Sequence, residues 1–325
     1  MNGVKRPELG DTIALSLGGN ALKGETLEQQ ADTAKKACRI IADIFHRGVQ
    51  MVLTHGNGPQ VGNLALRNAC NDPLYHLVAY TQGGIGSMLQ MLIENELREI
   101  GSEQVGEIST IVSHVQIDPN DPGFENPSKP IGPWLTAEET SRTKQSYPAW
   151  TIKELPDGLI PERPFRRVVP SPRPMRFLNE RVIANSVDNG ILTITGGGGG
   201  IPVIEKDGII TGIDAVIDKD RATAIIAKFV NAQLMAILTV VPGVIHPEEF
   251  AKKNSKGKVI PILTTNEAKS LLSEFPNGSM SPKVESCIEF TEETGEPSLI
   301  AGVENGEEAI NGESGTQIVY SKGAA

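Results

Sequence analysis

Three short apolar runs in this chain each end in a cluster of glycines, and that repetition restricts the available folds more than any other feature. Thr12-Ile13-Ala14-Leu15-Ser16-Leu17 reads as a strand that stops at Gly18-Gly19-Asn20-Ala21. Gln29 to Arg47 then carries helical spacing in Ala31, Ala34, Cys38, Ile41 and Ile44. Met51-Val52-Leu53-Thr54 repeats the pattern into His55-Gly56-Asn57-Gly58-Pro59-Gln60-Val61-Gly62 and a helix through Arg67. A third run, Ile191 to Thr195, enters five consecutive glycines, Gly196 to Gly200, ahead of Ile201-Pro202-Val203. Strand, glycine turn and helix is the arrangement in which backbone N–H groups face an anion. Five adjacent glycines also carry an entropy cost that a plain turn does not require. Three βα units of this kind predict an α/β fold with a mainly parallel central sheet, whose carboxyl edge gathers the loops into one crevice. The first loop is neither a Walker A sequence, since no Gly-Lys-Ser/Thr follows, nor a dinucleotide fingerprint.

Two lysines stand where local helix physics would not choose them. Asp218 is a good N-cap and Ala222 to Ala227 reads as a buried helix, so Lys219 falls in the first turn. In Gly278-Ser279-Met280-Ser281-Pro282-Lys283, Ser281 reads as an N-cap and Pro282 as the first helical residue, which sets Lys283 at another helix start. A cation there opposes the helix dipole at a cost of about 0.3–1 kcal/mol, and a bound anion is the usual compensation. Each lysine taken alone also reads as a solvated side chain at a frayed end. Beside the glycine loops, the pair points to a phosphate chain.

The 325 residues suffice for one or two domains, and we read a single one, 1–325. A formal net charge of −10 with no basic stripe excludes nucleic acid as the natural partner, so anionic substrates need local positive charge. Cys38, Cys70 and Cys287 have neither metal-ligand nor redox spacing, which fits a reducing compartment. The first eleven residues lack a signal-peptide core and no run approaches the ~18 apolar residues of a membrane span, so a cytoplasmic protein away from membranes is expected. Residues 116–165 break the rhythm with dense Pro, Asp, Glu, Lys and Ser. A loop that long is unusual inside a compact domain, so the segment reads as an inserted subdomain or lid. Its Pro127-Ser128-Lys129-Pro130-Ile131-Gly132-Pro133 forms a stiff arm able to hold Lys129 over the crevice, or else a solvated flap.

These residues carry a resemblance that spans nearly the whole chain. Gly18-Gly19-Asn20-Ala21-Leu22, His55 to Gly62, Gln82-Gly83-Gly84-Ile85-Gly86, Pro127 to Pro133, Arg166-Arg167-Val168-Val169-Pro170-Ser171-Pro172, Gly197 to Val203, Ile217-Asp218-Lys219-Asp220 and Gly278-Ser279-Met280 with Pro282-Lys283-Val284 resemble, in that order, the carbamate kinases of the amino-acid kinase superfamily. The resemblance implies an open αβα sandwich and a homodimer. It also implies reversible phosphoryl transfer between carbamoyl phosphate and Mg-ADP, giving ATP and carbamate, with Mg²⁺ carried by the nucleotide. By the same resemblance Lys219 meets the phosphoryl group in flight, Asp220 orients lysines, Lys283 holds nucleotide phosphates and Lys129 reaches in from the subdomain. Gly18, Gly19, Asn20, Gly56, Asn57, Gly58, Gly197, Gly198 and Gly199 line the substrate and phosphate site. Two departures stand out. Family members usually carry an acidic residue and a tyrosine after the strand Leu234–Thr239, where this chain reads Val240 to His246, and Ser87 occupies a common tyrosine position. A non-catalytic paralogue that binds nucleotide or carbamoyl phosphate, and a kinase of another small carboxylate, are the alternative readings.

Overall fold

The computed structural model describes residues 3–22, 24, 26–67, 71–155, 162–246, 257–275 and 280–321. Its strands are β1 (Thr12–Leu17), β2 (Gln50–His55), β3 (Ile108–Thr110), β4 (His114–Ile117), β5 (Lys129–Leu135), β6 (Thr151–Glu154), β7 (Phe165–Val169), β8 (Pro174–Phe177), β9 (Leu192–Ile194), β10 (Ile201–Lys206), β11 (Ile209–Gly212), β12 (Leu234–Thr239), β13 (Ile262–Thr264), β14 (Ser298–Gly302) and β15 (Thr316–Val319). The helices are α1 (Leu27–His46), α2 (Gly58–Leu66), α3 (Leu74–Glu99), α4 (Ala137–Ser146), α5 (Glu180–Asp188), α6 (Lys219–Phe229), α7 (Thr265–Leu271), α8 (Met280–Thr294) and α9 (Gly306–Ile310).

The main sheet runs β13-β15-β14-β12-β1-β2-β9-β3, with every neighbouring pair parallel except β14 and β15. Its strands are near-continuous apolar runs because helices cover both faces. Ile13, Leu15 and Leu17 of β1 join Leu234, Ala236 and Leu238 of β12 in a core closed by α1, α3 and α9. The alternate residues Ala14, Met235 and Ile237 face α5, α6, α7 and α8. The result is the expected αβα sandwich. Ser16 breaks the apolar pattern of β1 on the α6 side, where it bonds to Asp220 Oδ1 at 2.8 Å. Among the described residues no helix is long and apolar enough to cross a membrane.

Two smaller sheets flank this frame. One runs β11-β10-β4-β8, and the other runs β5-β7-β6. The second contains most of the polar segment 116–165, with α4 between β5 and β6, and extends to Val169. Residues 156–161 lie outside the described residues. The arm that carries Lys129 is a strand, paired antiparallel to the Arg166-Arg167-Val168-Val169 run of β7. Its Gly132 lies so near Gly62 of α2 that a side chain on Gly62 would collide with the Gly132 backbone. Arg167 sits 3.7 Å over the Trp150 ring, which stacks on Tyr147 at 4.0 Å, and Arg166 Nε donates to the Gly132 carbonyl at 2.9 Å, so both arginines make contacts within this subdomain. Backbone pairing and this glycine contact, more than proline stiffness, hold the arm.

Two expectations need correction. The third glycine run does not open a βα unit. Gly196, Gly198, Gly199 and Gly200 all have positive φ and turn the chain straight into β10, which pairs with β4 in the second sheet. Ser281 is also not an N-cap, because α8 already includes Met280, so Ser281 and Pro282 lie within its first turn. Proline is tolerated there because a first-turn N–H has no helical partner to lose. Gly278 and Ser279 lie outside the described residues, as does Cys70, while Cys38 and Cys287 are free and buried.

Candidate functional site

The carboxyl ends of β1, β2 and β9 bring the three glycine loops together. Gly18 N–H donates to the Leu238 carbonyl at 2.8 Å and Gly56 N–H to the Leu17 carbonyl at 3.1 Å, which continues the sheet into both loops. A Cβ on Gly56 would lie 3.1 Å from the Gly19 nitrogen, and one on Gly198 would overlap the Asn57 side chain. Only glycine allows this approach of loop to loop. Gly58 begins α2, and Asn20 lies in a 3₁₀ turn, Gly19–Leu22, its side chain outside the described set.

Beside these loops lies a buried charge cluster built from two helices, α6 and α8, and two strands, β1 and β5. Asp218 is the N-cap of α6, its Oδ1 accepting from Asp220 N–H at 2.9 Å. That cap starts the helix so that Lys219 and Asp220 fall in its first turn. Lys219 Nζ donates to Ser16 Oγ at 2.6 Å and to Asp220 Oδ1 at 2.5 Å, while Lys283 Nζ donates to Asp220 Oδ2 at 2.9 Å. Lys129 Nζ reaches Asp218 Oδ2 at 2.5 Å. All four predicted charged residues therefore meet. Three ammoniums face two carboxylates, so one positive charge is left for an incoming anion.

The electrostatics follow from burial and pairing. Burial opposes ionisation of Asp220, but Lys219 and Lys283 outweigh it and hold its carboxyl far below the usual range. Asp218 is likewise buried, and Lys129 and Lys283 bring it below its ordinary value. Burial lowers the Lys219 pKa, with Asp220 opposing and Lys283 adding to the shift. Lys283 is also buried, yet Asp220 and Asp218 prevail and raise it. Lys219 is thus the ammonium whose charge the fold tolerates least.

Several working residues gave only weak sequence signals. Ser16 stood inside a strand, and Asp218 was visible only as a cap. Gln82 of α3 binds both backbone groups of Ser113, accepting from its N–H at 2.9 Å and donating to its carbonyl at 3.1 Å. Ser113 Oγ in turn accepts from Gly196 N–H at 3.0 Å, which anchors the five-glycine loop. Gln82 was visible only as the first residue of the Gln82-Gly83-Gly84-Ile85-Gly86 run that carries part of the resemblance. In the departure segment Val240 and His246 are exposed.

His55, at the end of β2, is 1% exposed, with Nδ1 3.2 Å from the Gly56 carbonyl oxygen. Burial pushes its pKa down to about 4, with the Gly56 carbonyl opposing and Lys219 adding to the effect. An unfolded histidine titrates near ~6.5, so the unfolded chain takes up this proton first as pH falls. The stability is complete above that value and is lost down to about 4. We expect His55 to remove about 2 kcal/mol between pH 7 and 5, and His55→Gln to lose correspondingly less in urea unfolding at the two pH values. Equal losses would show that another group controls this range.

A model of the amino acid kinase family matches residues 11–302. The chain belongs to that family. Within it, the chain is 39% identical to the carbamate kinase of Pyrococcus furiosus, over 96% of this chain and 100% of that one. Among solved structures, carbamate kinase from Giardia lamblia bound to citric acid superposes with a TM-score of 0.87 at 34% identity, covering 96% of this chain and 99% of that one. The same enzyme bound to AMP-PNP gives 0.83 at the same identity and coverage. Its place in the family is among the carbamate kinases.

Proposed function

We infer that the protein catalyses reversible phosphoryl transfer between carbamoyl phosphate and Mg-ADP, giving ATP and carbamate, which breaks down to ammonia and CO₂. The observation that carries this reading is the convergence of Lys219 and Lys283 on one buried carboxylate, Asp220, beside three glycine loops. A phosphoryl group in flight needs little covalent help and much positioned positive charge. Lys219 is suited to the transferring group, Lys283 to the nucleotide phosphates, and backbone N–H groups of Gly19, Gly58, Gly197 and Gly198 to the phosphoryl oxygens, while Gly18, Gly56 and Gly199, whose N–H groups bond within the protein, shape the loops around them. Asp220 orients the two lysines. The full-length likeness to carbamate kinases, one of them bound to AMP-PNP, supports the substrate pair.

Among the described residues no three His, Cys, Asp or Glu side chains gather into a metal site, and Asp218 and Asp220 are both ion-paired. The resemblance supports Mg²⁺ entering with the nucleotide, coordinated chiefly by its phosphates, as is usual for this ion. A cytoplasmic homodimer belongs to the same proposal, supported by the resemblance and by the free thiols Cys38 and Cys287. ATP formation from carbamoyl phosphate and Mg-ADP, coupled to a dye-linked enzyme, tests the function. Folded protein that gives no ATP above the spontaneous decay of carbamoyl phosphate would overturn it.

The subdomain's role has its own test. Lys129 pairs with Asp218 at the entrance, from where it can transfer its charge to carbamoyl phosphate. Lys129→Ala should raise the KM for carbamoyl phosphate roughly 10- to 150-fold, the equivalent of one charge-assisted hydrogen bond, with ADP little affected. Equal weakening of both substrates would point to a general electrostatic role, and no change in either would make the segment a solvated flap.

A further inference from the structure

Asn57 stands at the N-cap of α2, where asparagine ordinarily turns its side-chain oxygen onto a first-turn N–H. Here it makes no such bond. Its Nδ2 instead donates to Thr81 Oγ1 at 2.8 Å, and the Thr81 hydroxyl donates to the Val78 carbonyl at 2.7 Å. A carbonyl oxygen only accepts, so the single hydroxyl proton of Thr81 is committed to Val78. Thr81 can then only accept from Asn57, and this fixes the amide: nitrogen toward α3, oxygen away from it.

That oxygen has no hydrogen-bond partner among the described residues, although Asn57 is only 2% exposed. The atom is not sealed off by protein, so this oriented oxygen is open to accept a hydrogen bond from a ligand in the crevice. The side chain lies against Gly198, and the preceding Gly56 is so close to Lys219 that an added Cβ would touch the lysine stem at 3.5 Å. The acceptor therefore belongs to the same crevice as the lysines.

We propose that Thr81 is a positioning residue that presents Asn57 Oδ1 to the amino group of a carbamoyl substrate, and so makes the site prefer a carbamoyl phosphate over an acyl phosphate of the same shape. The inference rests on the proposed phosphoryl transfer from carbamoyl phosphate. Lysines and backbone N–H groups satisfy oxygens, but only an acceptor can recognise the –NH₂ that separates carbamoyl phosphate from acetyl phosphate. An isosteric methyl would leave Oδ1 unpaired, the situation in which a hydrogen-bonding site rejects an analogue most strongly.

The test is kcat/KM for carbamoyl phosphate and for acetyl phosphate with saturating Mg-ADP. Thr81→Val keeps the shape and removes the hydroxyl, freeing the amide to turn. Its preference for carbamoyl phosphate should fall roughly ten- to a hundredfold, with the KM for ADP unchanged. Thr81→Ser keeps the hydroxyl and should retain the preference. Should Thr81→Val not fold, Thr81→Ala supplies the same comparison on a residue that suits a helix. A ratio that stays at the wild-type value while both rates fall together would mean a merely structural role and would overturn the proposal, as would loss of the preference in Thr81→Ser. A wild-type protein inactive with carbamoyl phosphate removes the proposed function and this inference with it, whereas an active wild type with an unaltered ratio in the variant removes the inference alone.

Discussion

Lys219→Ala is expected to lower kcat by about 10²–10³ and to leave ADP binding near its wild-type value. Lys219 Nζ is held by Ser16 Oγ and Asp220 Oδ1 beside the glycine loops, at 8% exposure. A charge held this way is already oriented when the phosphoryl group moves, so it stabilises the transition state without reorganising. In the proposed mechanism the ground-state contacts to ADP fall instead to Lys283 and the loops. The isosteric Lys219→Met should show the same kinetic loss, with an unfolding midpoint equal to or above wild type. Burial and the neighbouring Lys283 already press the Lys219 pKa down, so the folded state bears a cost for that charge. The opposing helix dipole is the lesser reason, because the ammonium turns back onto Asp220. A variant with near-normal kcat would remove Lys219 from the path of the phosphoryl group.

Asp220→Asn should destabilise the protein strongly. One carboxylate, 2% exposed, accepts both Lys219 and Lys283. The amide matches its shape but takes from two buried ammoniums the carboxylate they are bonded to, and breaking a buried pair in this way costs about 3–5 kcal/mol. The sign of the pH dependence provides a second check. In the variant the Lys219 pKa, already lowered by burial, drops further and Lys283 loses the carboxylate that raised it, so burial holds both below the unfolded chain, the unfolded state binds more protons and stability rises with pH. The deficit measured by urea unfolding at pH 7 should therefore narrow at pH 9. A variant as stable as wild type at both values would mean that the lysines reach solvent without Asp220.

Much of the frame was legible because its signals are local. A strand covered on both faces must be largely apolar, and β1, β2 and β12 read that way. The cap of α6 was visible in Asp218, since an N-cap depends on a bond to a residue two positions away. The five glycines pack closely against Asn57, Ile217 and Val115, but gave no sign of the element after them. Whether that element is a helix or a strand depends on β4, about 85 residues upstream, and no local propensity reports that. Likewise Ser281 read as a cap, while the helix that contains it begins one residue earlier.

Local chemistry therefore dictated the alternation of strand and helix, the positions of the glycine loops and the presence of lysines at two helix starts, because these rest on backbone freedom and on spacing within a turn or two. Packing through space settled the rest. Ser16 lies 203 residues from Lys219, and Lys283 lies 63 from Asp220. Thr81 lies 24 from Asn57 and Lys129 lies 89 from Asp218. No spacing rule links such residues. They meet because a parallel sheet collects its loops at one edge, and because buried polar atoms must find partners within hydrogen-bond reach whatever their separation along the chain.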